Sequence, residues 1–510
     1  MINTNLKIYK KNKFVKILLL LCLTIGLACK QEKTRTVKQQ PNVVLIYLDD
    51  LGYGDLSVYG ATEIKTPNID ALANGGVRFT DGYATSATCT PSRYGMLTGI
   101  HPVKHKVRIL PGSAAMIIDT VQVTLPKVFK KAGYTTGIVG KWHLGLGNGN
   151  INWNTKIKPG PNEVGFDYSV IMAATQDRVP TVFIEDGFVD GLEKDDPIYV
   201  NYKKNFEGQP TGKDNPELLT MTAHHGHDNT IVNGIGRIGY MKGGKNAIWK
   251  DTEIADYFLD KAQSFVKENK DEPFFLYYAM QQPHQPRTPH PRFVRSTTMG
   301  PRGDVIMEAD WCIGQFIKTL EEEGVLENTI IVFSSDNGPV LNDGYNDDAV
   351  EKLGKHTPAG ALRGGKYSLF EAGAKVPFFV YWKGKIEPKV SHALVSQMDL
   401  LASFANFLDV KIPKTDSQNM LDVFLGNSNK GRENLMVEAK RKAAYRSGNW
   451  LMIPPYPKCK PIQKNVNIEV GCDSVYQLYD LKEDVSQQHN LAKSNPEKLK
   501  QLIKEFKALR

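Results

Sequence analysis

The sequence predicts an α/β fold built on a mostly parallel sheet, with a small antiparallel subdomain at its C-terminal end. Three observations carry this. Continuous apolar runs of five to eight residues recur along the chain, helical patterns separate them, and the character changes after about Asp399. An apolar run with no polar alternation is the mark of a strand covered on both faces, and strand–helix alternation is the mark of a parallel sheet. The 510 residues leave room for one large α/β domain and a smaller one. Hydrophobic residues at 41% and charged residues at 23% fit a soluble globular protein. The net charge is +9, but Lys7, Lys10, Lys11, Lys13 and Lys16 sit at the extreme N-terminus, and 9 − 5 leaves +4. That is too little for a body built to grip nucleic acid phosphates, so no nucleic acid partner is expected.

Taken in order, the chain starts with an export signal. Basic residues up to Lys16 precede an apolar run from Ile17 to Ala28, too short for a bilayer span but suited to a signal peptide. Gly26-Leu27-Ala28-Cys29 followed by Lys30-Gln31-Glu32 resembles a bacterial lipoprotein cleavage site. Residues 1–28 are therefore read as a signal peptide of lipoprotein type. Residues 29–39 are read as a polar tether lipidated at Cys29, and the protein as exported to the periplasm or cell surface, touching membrane only through that anchor. The alternative is plain cleavage with Cys29 unmodified.

The main domain, 40–399, carries predicted strands at Asn42–Leu48, Thr135–Val139, Pro273–Met280 and Asn328–Ser334. Helices are predicted at Asn68–Gly75, Val121–Ala132, Trp249–Asn269 and Met307–Glu323, and residues 145–245 read as long insertions above the sheet. In the C-terminal subdomain, 400–510, the pattern predicts a helix at Leu400–Leu408, short strands at Ala443–Tyr445 and Trp450–Ile453, and a basic terminal helix at Pro496–Leu509. Cys459 and Cys472 close a short loop in an exported chain, which predicts a disulfide. Cys312 falls in an apolar helical pattern and reads as a buried small hydrophobe.

In open α/β sheets ligands sit beyond the carboxyl ends of the strands. The four main strands end in Asp49-Asp50, Lys141-Trp142-His143, Pro283-His284 and Asp336-Asn337. At one strand end such residues are usually solvated; at four neighbouring ends they converge on a shared site. Asp49, Asp50, Asp336 and Asn337 are hard oxygen donors, which favour Ca²⁺ over Zn²⁺, and a cage of several carboxylates and an amide favours Ca²⁺ over Mg²⁺. Cys89-Thr90-Pro91-Ser92-Arg93 precedes Leu97-Thr98-Gly99. Thr90 can cap and Pro91 can start a helix, which would put Cys89 at a helix N-terminus, as a low-pKa thiolate nucleophile or as a buried structural cysteine.

Here the residues resemble a known family. Cys-x-Pro-Ser-Arg followed by Leu-Thr-Gly is similar to the signature of the type I, formylglycine-dependent sulfatases. The resemblance runs through Gly140–Gly145, Ser335–Pro339 and Leu478–Leu481. It implies an alkaline-phosphatase-like sandwich in which Cys89 is oxidised to formylglycine by a maturation enzyme. It further implies that the aldehyde hydrate attacks the sulfur of a sulfate ester. By carry-over, Asp49, Asp50, Asp336, Asn337 and residue 89 would hold Ca²⁺. Arg93 and Lys141 would stabilise charge, His143 would be the base for sulfate release, and His284 and Lys366 would bind sulfate, His284 also protonating the leaving oxygen. Asp177 and Arg178, with His224 and His225 of the Ala223–Asn229 histidine cluster, are candidate substrate contacts; that cluster could instead be a second metal site or a solvated loop. The implied substrate is a sulfated saccharide with galactose or N-acetylgalactosamine units, from an algal galactan or a glycosaminoglycan. Two other readings compete: a phosphatase or phosphodiesterase of the same superfamily, and a non-catalytic carbohydrate-binding lipoprotein.

Overall fold

The computed structural model describes residues 40–509. The expected signal peptide, tether and Cys29 lie outside them. Ten strands form the main sheet: β1 (Asn42–Leu48), β2 (Val77–Phe79), β3 (Thr135–Lys141), β4 (Tyr168–Met172), β5 (Phe183–Glu185), β6 (Phe188–Val189), β7 (Phe274–Ala279), β8 (Thr329–Ser335), β9 (Phe378–Trp382) and β10 (Lys389–Ser391). Their spatial order is β10-β2-β9-β8-β1-β7-β3-β4-β5-β6. The central five, β8-β1-β7-β3-β4, are parallel. β9 runs antiparallel to β8, and β5 and β6 turn back at the other edge. The sheet is thus parallel where the site forms and mixed at its margins.

β1, β7 and β8 are buried along their whole length. Their side chains alternate between two cores, as a pleated strand requires. Val43, Leu45 and Tyr47 join a cluster with Leu97 of α2 (Cys89–Thr98), Phe129 of α3 (Leu125–Lys131) and Phe404 of α6 (Leu400–Phe407). Val44, Ile46 and Leu48 join the opposite cluster with Ile69 of α1 (Pro67–Asn74), Phe258 of α4 (Ile254–Asn269) and Phe316 of α5 (Gly300–Glu322). Cys312 is fully buried in this second core, as its helical pattern predicts.

Several boundaries differ from the sequence reading. β3 runs on to Lys141 because Gly140, at φ 119°, lets it pass within touching distance of β7; a Cβ there would meet the Ala279 carbonyl oxygen at 1.9 Å. α5 begins at Gly300 rather than Met307, with Pro301 in its first turn, where the missing N–H costs nothing. α3 begins at Leu125, after Thr124, whose side chain caps the Lys127 N–H. α2 starts at Cys89, two residues before Pro91. Thr90 is not its cap: its hydroxyl donates instead to the His143 carbonyl at 3.0 Å.

A four-stranded antiparallel sheet follows α6: β11 (Asn434–Ala439), β12 (Lys442–Ser447), β13 (Trp450–Ile453) and β14 (Gln477–Asp480). One face, with Leu435, Val437, Leu451 and Tyr479, packs on Tyr83, Leu369 and Phe370 of the main domain. The other takes Leu502 and Phe506 of the amphipathic α7 (Pro496–Leu509). The Cys459–Cys472 disulfide is formed. No helix among the described residues is long and apolar enough to cross a membrane.

Candidate active site

The parallel register of β8, β1, β7 and β3 puts their carboxyl ends side by side, and the four sequence-predicted groups meet there. Asp50 and His143 lie just past their strands with φ of 65° and 56°, a left-handed turn that few non-glycine residues take. Asp49, Asp50, Arg93, Lys141, His143, Asp336, Asn337 and Lys366 are all at most 1% exposed. Buried charges persist only when paired. Lys141 Nζ lies 2.5 Å from Asp49 Oδ2 and 3.6 Å from Asp336 Oδ2. Arg93 Nη2 lies 2.8 Å from Asp336 Oδ2, and Arg93 Nε donates to the same oxygen at 3.0 Å. Lys366, after the Gly364-Gly365 turn, reaches Asp50 Oδ2 and Asp343 Oδ2, each at 2.9 Å.

The acidic cluster retains unmet capacity. Asp49 Oδ1 and Asn337 Oδ1 are buried with no hydrogen-bond partner, while Asn337 Nδ2 donates to Asp50 Oδ1 at 2.7 Å. One ligand atom each of Asp49, Asp50 and His284 lies within 4.8 Å of the others. Burial and the Asp336 carboxylate push Asp49 well above the usual range, with Lys141 pulling it back. Burial acts the same way on Asp50, but Lys366, His284 and Lys141 outweigh it and hold it low. Orphaned oxygens among crowded carboxylates fit a hard divalent cation.

Cys89 is the first residue of α2 and is 2% exposed. Burial raises its thiol, against the pull of Lys141 and Lys366, with Asp336 and Asp49 adding to the rise. Of the two states open for Cys89, this is the buried cysteine rather than the low-pKa thiolate: the loss of water and two nearby carboxylates outweigh Lys141 and Lys366. A neutral thiol here is a poor nucleophile.

Two imidazoles flank the cluster. The Leu110 carbonyl accepts from His143 Nε2 at 2.9 Å, which leaves Nδ1, buried and unpartnered, as the lone-pair nitrogen. Burial and Lys141 hold His143 well below its ordinary pKa. His284 Nδ1 donates to the Gln285 carbonyl at 2.5 Å, and its Nε2 lies 3.8 Å from Asp50 Oδ2. Burial and Lys366 lower it to about 4.

Above the cluster, Arg178 Nη1 pairs with Asp177 Oδ1 at 2.7 Å, and Gln176 Nε2 donates to the His284 carbonyl at 2.7 Å. The insertion therefore reaches the site. His227 Nε2 lies 3.3 Å from Asp177 Oδ2. His224 and His225 sit further out: His224 Nε2 contacts Asn342 Oδ1 at 2.9 Å, and His225 is exposed. Sequence reasoning missed Asp343 and Tyr367, whose hydroxyl donates to Asp343 at 2.8 Å. Both lie on loops, where no periodicity marks them; only the adjacency of Tyr367 to Lys366 was a signal.

The sheet, the carboxylate cluster at its strand ends and the encircling cations define a hydrolase of the alkaline-phosphatase-like fold, acting on an anionic ester. A family model described as Sulfatase matches residues 41–410, and the chain belongs to that family. It is a sulfuric ester hydrolase. The chain is 49% identical over 470 residues to an N-acetylgalactosamine-6-O-sulfatase of Bacteroides thetaiotaomicron, covering 91% of this chain and 92% of that one. Human arylsulfatase A is 31% identical over 451 residues, 85% of this chain and 76% of that protein. A solved chain, described under the metabolism of multiple glycosaminoglycans by Bacteroides thetaiotaomicron, superposes with a TM-score of 0.91. It is 48% identical, covering 92% of this chain and 99% of that one.

Proposed function

We propose that this sulfatase removes the 6-O-sulfate from N-acetylgalactosamine units of a glycosaminoglycan, after export and with residue 89 matured to formylglycine. The observation that carries the substrate is the 49% identity, over nearly the whole of both chains, to an N-acetylgalactosamine-6-O-sulfatase. The galactose alternative stays as the comparison substrate. Export with a lipid anchor at Cys29 rests on the N-terminal sequence alone.

Matured residue 89 would supply a hydrated aldehyde as nucleophile, which the neutral thiol cannot match. Asp49, Asp50, Asp336, Asn337 and residue 89 would hold Ca²⁺, which when bound neutralises sulfate charge. Arg93, Lys141 and Lys366 surround the pocket with fixed positive charge, so the anionic transition state meets oriented cations without reorganisation. Of the two His143 ring nitrogens, Nδ1 is the one free to take a proton, which suits the base that frees the sulfate. Burial and Lys366 lower His284 to about 4; the negative charge of a bound sulfate ester would raise it, so that Nε2 takes up a proton from solvent as substrate binds. Nε2 then carries it toward the leaving oxygen. Asp177 and Arg178 offer an acceptor and a donor to sugar hydroxyls.

The test is sulfate release from N-acetylgalactosamine 6-sulfate, N-acetylgalactosamine 4-sulfate and galactose 6-sulfate by matured enzyme with Ca²⁺. The reading expects the highest kcat/KM on the first. Preference for the 4-sulfate would overturn the position, and equal rates on galactose 6-sulfate would remove the N-acetyl requirement.

A further inference from the structure

We propose that a cleft between Tyr367 and the disulfide-closed loop is a second oxyanion subsite, holding a carboxylate or sulfate on the sugar next to the one that is desulfated. This rests on the carbohydrate reading above. The cleft encloses about 350 Å³, and Lys440, Lys442, Lys460 and Lys464 line it with no aspartate or glutamate. Among the described residues none of these four lysines is ion-paired with a carboxylate, whereas Lys366 next door has two. The Cys459–Cys472 bridge closes the loop that carries Lys460 and Lys464, and Lys440 Nζ donates to Gln463 Oε1 of that loop at 3.2 Å, so the two halves of the cationic wall meet.

The cleft shares a wall with the sulfate pocket. Lys440 Nζ lies 5.2 Å from the centre of the Tyr367 ring, and Lys366 Nζ lies 5.5 Å from the same ring. One aromatic side chain thus separates a lysine of the cluster from a lysine of the cleft, a spacing suited to two anions on one glycan. The hairpin joining β11 to β12 is also unusual. Ala439 pairs with Lys442, so Lys440 and Arg441 are its two turn residues, with φ of 48° and 67°. That turn normally takes Asn-Gly. Two cations in a left-handed turn, beside further lysines, repel one another, with only Asp343 and the buried Glu438 nearby to offset them, and strain of this kind collects at binding sites. Burial also lowers the pKa of Lys440, and that of Lys442 with added repulsion from Lys440. An oxyanion would relieve both.

The experiment compares wild type with the Lys440→Gln/Lys464→Gln double variant on four 6-sulfated substrates. These are the N-acetylgalactosamine monosaccharide, a disaccharide with a neutral neighbour, one with a uronic acid neighbour and one with a sulfated neutral neighbour. Two lost charge-assisted contacts should lower kcat/KM about ten-fold, through KM, on an anionic disaccharide. The monosaccharide and the neutral disaccharide should stay within about two-fold, since neither residue touches the reacting atoms. Whichever anionic neighbour shows the loss identifies the oxyanion. Equal losses on all four substrates, or none on any, with wild type active throughout, would overturn the subsite alone. Wild type inactive on all four would remove the functional reading and the subsite with it.

Discussion

Replacing Lys141 by methionine should make the fold depend on a divalent cation. Lys141 is fully buried at the end of β3 and is the cation placed between two carboxylates, 2.5 Å from Asp49 and 3.6 Å from Asp336. Arg93 still serves Asp336 in the variant, but Asp49 loses its ion-pair partner. Removing one partner of a buried pair costs about 3–5 kcal/mol. Over the 470 described residues, at about 2.1 cal/mol/K per residue, the unfolding entropy is roughly 1 kcal/mol/K, so the loss is ~3–5 °C in Tm. Ca²⁺ among the same oxygens restores positive charge, so the variant should gain more from Ca²⁺ than wild type does. The assay is thermal unfolding of both proteins in chelator and in saturating Ca²⁺. The gap should be widest in chelator and shrink to less than half with Ca²⁺. Equal Tm values in chelator, or a Ca²⁺ shift no larger in the variant, would refute the cluster as a cation site that Lys141 balances.

Three further outcomes follow from the same geometry. His284→Ala should cost about 10²–10⁴-fold on a sugar sulfate but much less on an activated aryl sulfate, because nitrophenolate leaves without a proton; Lys366→Ala should harm both alike, and kcat/KM on the two esters decides. Arg178→Ala should lower kcat/KM on the sugar ester about ten-fold and leave the aryl ester within about two-fold, as steady-state kinetics would show. His101, buried with Nε2 on the Met436 carbonyl at 3.1 Å, is lowered by burial to about 4. The unfolded chain therefore takes up a proton near pH 6.5 that the native state refuses until about pH 4. Stability present above pH 6.5 should fall by about 3 kcal/mol toward pH 4, and denaturant titrations of His101→Gln should lack that part of the slope.

The parallel core was legible because β1, β7 and β8 are buried on both faces and read as unbroken apolar runs. The site was legible because its chemistry sits just past those runs, at Asp49-Asp50, Lys141–His143, His284 and Asp336-Asn337. β4 and the antiparallel β9 were missed: Tyr168–Met172 lies within 145–245, read as insertions above the sheet, and Phe378–Trp382 follows a loop-rich stretch with only the one-turn helix Glu371–Ala374 before it. The start of α2 was misplaced because proline marks a helix start only when it lies in the first turn's leading position, and here it is the third residue. Of the two states the sequence left open for Cys89, the buried one is found, for a physical reason. A helix N-terminus favours the thiolate, but burial raises the thiol, and the charges around it, from Asp49, Lys141 and Asp336 at three strand ends and Lys366 on a loop, lie far apart in sequence. His227, rather than His224 or His225, meets Asp177 because the loop turns at His225, where φ is 55°, and no sequence pattern announces that turn.

The central claim is that residue 89 acts as formylglycine rather than as a thiol. Its most direct measurement is mass spectrometry of the peptide carrying residue 89, taken from the same preparation whose sulfate release is assayed. The account predicts a species about 18 Da lighter than the cysteine form, with specific activity proportional to its fraction across preparations of differing maturation. A fully active preparation in which residue 89 is entirely free cysteine would contradict it.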